Sequence, residues 1–188
     1  MSETDQWVQW WACAWYHAHP EWHSGYDVTP ALARNRHSAV SKAFAIEPCL
    51  PGAPSGSLIY LALAQSAQHD HMLQLLDMTC RPLPPAQLNT TQNLWCQRLA
   101  KALHTQGWLG PTDDALQLLR AWVEPAVWQR LRLRFAPARI IVLEQTPVLA
   151  IPAGKLEQLW QAVLWYARTF NSDATRTEAQ NHAVATLT

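Results

Sequence analysis

Trp128, Arg130, Arg132 and Arg134 fall within one run, WQRLRLRFAP (residues 128–137), in which arginines alternate with large apolar residues until Pro137 stops the pattern. A guanidinium is a planar fork of donors that grips a carboxylate through two parallel hydrogen bonds. Such a run suits a cationic docking element for an acidic partner, with Trp128 as its aromatic anchor. The same arginines also suit a solvated face, or pairing with an acidic segment of the chain itself. In a helix, Val127, Trp128, Leu131 and Phe135 share one side and Arg130 and Arg134 stack beside it, but Leu133 is left off that face. The pattern predicts a helix to about Leu131 with an irregular or extended exit.

The remaining reactive side chains assemble no familiar catalytic pattern. His17, His19 and His23 lie close together with Glu21, and His69-Asp70-His71 forms a second cluster. Two imidazoles on one helical face need a separation of four. His19 and His23 have it, but Pro20 interrupts any helix there, and His69 and His71 would point to different sides. Folding the two clusters together is the route to a metal site, and with it to a metal-dependent enzyme. No GxSxG motif is present, and the six glycines form no phosphate-cradling loop. Cys13, Cys49, Cys80 and Cys96 have no metal-binding or redox spacing and are expected as free, buried thiols. The residues therefore predict a non-enzyme without cofactor or metal.

Composition points the same way. Of 188 residues 49% are apolar and only 15% charged, with eleven tryptophans and zero formal net charge. Little self-repulsion then keeps the protein apart from other molecules, so a protein partner is expected. Residues 1–30 carry a net −4 and residues 98–139 a net +4. That asymmetry is too small for general nucleic-acid binding. No secretory leader is recognisable, and no apolar run approaches the roughly 20 residues that cross a bilayer. A cytoplasmic protein without membrane insertion is the expectation.

The elements that would position these residues are mainly helical. The spacing of Trp7, Trp10, Trp11, Ala14 and Trp15 predicts a first helix with Thr4 as its N-cap, ended at His19-Pro20. Thr29-Pro30 offers a restart, with Leu32, Val40 and Phe44 supplying contacts. After a Pro/Gly-rich break at 48–56, residues 57–79 suit one long buried helix or two with a bend at Gln68 to His71. Prolines break the chain again at 80–85. Helices follow from Thr91, ended by Gly107; from a cap at Thr112; and from Pro125. Ile140 to Leu143 and Val148 to Ile151 read as two short strands. Leu156, Leu159, Trp160, Val163, Leu164 and Ala167 define a strong final helix. The expected architecture is one compact domain over 1–170 of about seven helices, with a short β-hairpin near 139–151 and a disordered polar tail at 171–188.

The string from Trp122 to Pro137, WVEPAVWQRLRLRFAP, resembles the C-terminal signature of the SctK family (YscK/OrgA/MxiK-like), cytosolic accessory proteins of the type III secretion sorting platform. The aromatic and histidine-rich stretch Tyr16 to Trp22 and the leucine-rich stretch Leu58 to Cys80 are similar in order and spacing to other parts of that family. The crowded tryptophans at 7, 10, 11 and 15 and the polar tail depart from its pattern. The resemblance implies an adaptor that links the inner-membrane ring's cytoplasmic domain to the pod (C-ring) protein, peripheral to the inner membrane, with no catalysis. A secretion chaperone or regulatory binding module is the remaining alternative.

Overall fold

The computed structural model describes residues 2–24, 36–81 and 88–185, with side chains as far as Thr169. It is mainly helical, and no strand occurs among the described residues. The chain divides into two compact units, each built from two stretches of sequence: Met1–Ser66 with Asp113–Ile151, and Ala67–Thr112 with Pro152–Thr188. The proline-rich breaks fall inside these units, not between them. No described helix is long and apolar enough to cross a membrane.

In the first unit, α1 (Glu3–Ala12) opens on a capping box. The Ser2 hydroxyl accepts from the Asp5 amide at 3.1 Å, and the Asp5 carboxylate accepts from the Ser2 amide at 2.9 Å. Its apolar stripe buries Trp7, Trp10 and Trp11 as a ring cluster with centroids 5.1 to 6.4 Å apart. Two of these indoles also pin the proline-rich loop: Trp11 Nε1 donates to the Cys49 carbonyl at 2.9 Å and Trp7 Nε1 to Gly52 at 3.3 Å. Two 3₁₀ turns (Ala14–His17 and Pro20–His23) lead onward. α2 (His37–Ala43) and α3 (Gly56–Leu63) complete the N-terminal stretch. The C-terminal stretch supplies α6 (Leu116–Trp122), α7 (Pro125–Leu131), a 3₁₀ turn (Arg132–Arg134) and α8 (Pro137–Glu144).

The second unit packs three helices, α4 (Ser66–Cys80), α5 (Thr90–Leu103) and α9 (Ala153–Ala185). α5 begins with a second capping box, Asn89 with Gln92. Leu75 and Leu76 on α4, Cys96 on α5, and Leu159, Val163 and Leu164 on α9 are completely buried. Each such aliphatic side chain stabilises by roughly 1.5–3 kcal/mol. Trp95 stacks on Tyr166 with centroids 4.1 Å apart, which joins α5 to α9.

Several sequence expectations shift. The bend in 57–79 comes at Ala64 and Gln65, where the chain is extended, not at 68–71. The predicted hairpin is absent: 140–143 is helical within α8, because Pro137 starts a helix at its first position and Ile140 and Leu143 bury at a spacing of three. α9 continues to Ala185, past the point where order was expected to end, through alanine, glutamine, glutamate and arginine, which favour helix. Residues 29–32 lie outside the described residues. Cys80 and Cys96 are buried as expected, but Cys49 is exposed and Cys13 half-buried. Burial pushes the Cys80 thiol up to about 12, which leaves it chemically quiet.

Ala45 follows α2 with φ 50°, a left-handed conformation in which an L side chain is strained. Replacing it by glycine removes that strain, so Ala45→Gly should stabilise the protein by about 0.5–1 kcal/mol. Urea unfolding of the two proteins measures the difference; a destabilised variant would contradict the conformation.

Candidate functional site

The arginine run folds as the end of one helix and the turn that follows it, and its side chains point inward. α7 carries Trp128 and Arg130; the tighter 3₁₀ turn then rotates the chain so that Leu133, which a continuous helix would leave off the buried face, is fully buried. Trp128 is only 7% exposed, and its Nε1 donates to the Glu144 carboxylate of α8 at 2.9 Å. Arg130 is 3% exposed. The surface strip that the sequence predicts is thus an internal set of bonds.

Each guanidinium reaches the C-terminal end of a different helix. Arg130 Nε donates to the Trp11 carbonyl near the end of α1 at 2.9 Å, and its Nη1 to Ala126 at 2.8 Å. Arg132 Nη2 donates to the carbonyls of Phe44 and Ala45 after α2, at 3.0 and 3.3 Å. Arg134 Nη1 donates to His17 at the end of the first 3₁₀ turn at 2.9 Å, and its Nη2 to Ala64 after α3. The last four carbonyls of a helix have no partner within it and carry the negative end of its dipole. Three alternate residues therefore supply cationic donors to three helix ends. Two further bonds complete the seam: the His19 amide donates to the Leu133 carbonyl at 2.7 Å, and the Trp22 indole Nε1 to the Phe135 carbonyl at 2.8 Å.

The charges are held in different ways. Arg132 also pairs with Glu144 at 3.3 Å. Arg130 lies with its guanidinium carbon 3.9 Å from the centre of the Trp11 ring, so an indole face and carbonyl dipoles offset the loss of water. Burial lowers the Arg130 pKa from its ordinary value, with the Cys49 sulfur pulling the other way, and burial lowers that of Arg134. The expected alternative of pairing with the acidic residues of 1–30 is not what forms: among the described residues of that segment only the Trp11 and His17 carbonyls accept, from Arg130 and Arg134, and Arg132 turns to Phe44, Ala45 and Glu144.

The histidines join the seam through their backbones at His17 and His19, and their imidazoles do not gather into one cluster. His17, His19 and His23 belong to the first unit and His69 and His71 to the second, and no cluster of three potential metal ligands occurs among the described residues. His17 lies beside Arg134, and burial together with that charge lowers its pKa. In the first unit α8 leaves apolar side chains open to solvent. Ile141 (57% exposed) and Val142 (65%) project from α8, and Val148 is half exposed just beyond it. Their neighbours Gln145, Thr146 and Pro147 are exposed and uncharged. A strand reading of 140–143 concealed this face. Its rigidity comes from Arg139, which forms an ion pair with Asp114 at 2.6 Å, and from Arg120, which donates to the Leu143 and Thr146 carbonyls at 3.0 and 2.9 Å.

Two outcomes follow for the seam. Arg130→Ala leaves helix-end carbonyls unpaired in the interior and should cost about 3 kcal/mol in urea unfolding. Arg130→Lys should recover only part of that, since an ammonium lacks the fork; full recovery would show that charge alone matters. For His17 the folded-state pKa lies below the unfolded value near 6.5, so its contribution to stability is present above that pH and is lost as pH falls. Unfolding free energy should therefore drop on acidification below 6.5, and His17→Gln should flatten the drop.

No known protein family, curated protein or solved structure matches the chain.

Proposed function

We propose that the protein is an adaptor subunit of a type III secretion sorting platform, linking the inner-membrane ring to the pod protein through protein–protein contacts. The resemblance of 122–137 to the SctK signature supports this reading. The residues of that stretch fix the frame of the first unit. The observation that carries an interaction role is the exposure of Ile141 and Val142 on a helix anchored by arginines, with Val148 exposed just beyond its end. Exposed apolar side chains grouped on rigid backbone are a usual mark of a binding surface. Because the arginines are committed internally, this face replaces them as the partner-facing element.

The test is affinity capture of the tagged full-length chain from a secretion-competent Gram-negative cell. The wild-type chain should bring down the pod protein and the ring's cytoplasmic domain. Replacing both Ile141 and Val142 by glutamate should abolish recovery of one of them with an unchanged melting temperature. Recovery of neither protein by the wild-type chain would overturn the proposal.

A further inference from the structure

In the second unit a cleft of about 590 Å³ runs along α5, lined by Met78, Gln97, Ala100, Lys101, His104 and Gln106. From Met78 to Thr112 the chain contains Arg81, Arg98 and Lys101 and no acidic residue. Arg81 is engaged with Asp77 and with the carbonyls of Gly110 and Pro111 at 2.6 and 2.9 Å. Arg98 and Lys101 are both exposed, three residues apart on one helix face, and neither has an ion-pair partner among the described residues. Leu94, 48% exposed, lies one turn further back on the same face. Lys101 thus brings a cation into the cleft itself, where Met78 and Ala100 supply apolar contacts, and Arg98 and Leu94 add a second cation and an apolar side chain on the exposed side of the same helix.

A second observation concerns His104. It closes α5 with φ 55°, the left-handed position that glycine occupies at least cost. The chain keeps an imidazole there, and that imidazole lines the cleft. A strained backbone position that presents a polar side chain to a cavity is a feature expected of a binding site.

We propose that this cleft docks an acidic, partly apolar segment of a partner protein: its carboxylates meet Lys101, Arg98 and His104, and an apolar side chain enters against Met78 and Ala100. Two cations and one imidazole give little grip on a phosphate backbone, where affinity comes from many such contacts, whereas they match a short run of carboxylates. The proposal rests on the adaptor reading for its biological setting, since a bridging subunit needs a second surface besides Ile141 and Val142. It adds the place and the chemistry of that surface.

The test uses the full chain and a fluorescein-labelled ten-residue peptide of alternating glutamate and leucine, followed by anisotropy. Saturable binding is expected, falling at least tenfold in the Arg98→Glu/Lys101→Glu double variant and weakening as salt rises. His104→Gly should also weaken binding while the melting temperature holds or rises, because glycine relieves the left-handed strain. Undiminished binding by the double variant overturns the proposal, as does failure of the wild-type chain to bind. A single-stranded RNA ten-mer or inorganic phosphate that displaces the peptide at equal concentration also overturns it. Capture of ring and pod proteins without peptide binding removes this inference alone; peptide binding without capture removes only the adaptor reading.

Discussion

A helix leaves its last four carbonyls without internal partners, and in the first unit that constraint dominates because the helices are short. α2, α6 and α7 have seven residues each, and α3 and α8 have eight. Half or more of the carbonyls in such a helix need an outside donor, and helices this short are not stable alone. Arg130, Arg132 and Arg134 meet that need at the ends of α1, α2 and α3, and Arg120 does the same at the end of α8. Because the donors come from residues far along the chain, each bond also closes a long loop. The arginine run is therefore both a set of caps and the link between the two stretches of sequence that make the unit.

The second unit solves the problem differently. Its helices of fourteen, fifteen and thirty-three residues satisfy a far larger fraction of their own carbonyls. Only local additions are needed. The Thr105 hydroxyl donates to the Thr79 carbonyl at 2.8 Å near the end of α4, and Arg81 ties the turn at Gly110 and Pro111. Apolar burial along α4, α5 and α9 then carries its stability. Among the described residues this leaves Arg98 and Lys101 of α5 without an ion pair, whereas Arg120, Arg130, Arg132, Arg134 and Arg139 of the first unit are consumed by the fold.

Periodicity made the helical class legible in the sequence: the stripe from Leu156 to Ala167 folds as read, while the tryptophan stripe is helical but capped at Ser2, not Thr4, and gives way after Ala12 to a 3₁₀ turn that carries Ala14 and Trp15. The exit from α7 was legible as well, because Leu133 could not share a helical face with Leu131 and Phe135. Three features were not. An arginine that serves a carbonyl looks in sequence like one that serves a carboxylate, since every residue offers a carbonyl and none of the acceptors is marked. The run Ile140 to Leu143 is apolar and largely β-branched, so its composition argued for a strand until Pro137 and the burial of Ile140 and Leu143, one turn apart, decided for helix. The division into two units escaped notice because it falls at Ser66, Thr112 and Ile151, away from the proline-rich stretches that usually mark boundaries.

The consequence for function is a separation of roles along one stretch of chain. Residues up to Phe135 hold the first unit together, and the helix that follows leaves Ile141 and Val142 exposed. The most direct measurement of this account is deuterium exchange at the Arg130 Nε–H, followed by nitrogen-detected NMR of the arginine side chains. A bond to the Trp11 carbonyl in the interior predicts a signal that persists long after surface guanidinium protons have exchanged, and that does not move when a partner is added. Exchange as fast as that of an exposed arginine, or a shift on partner binding, would contradict it.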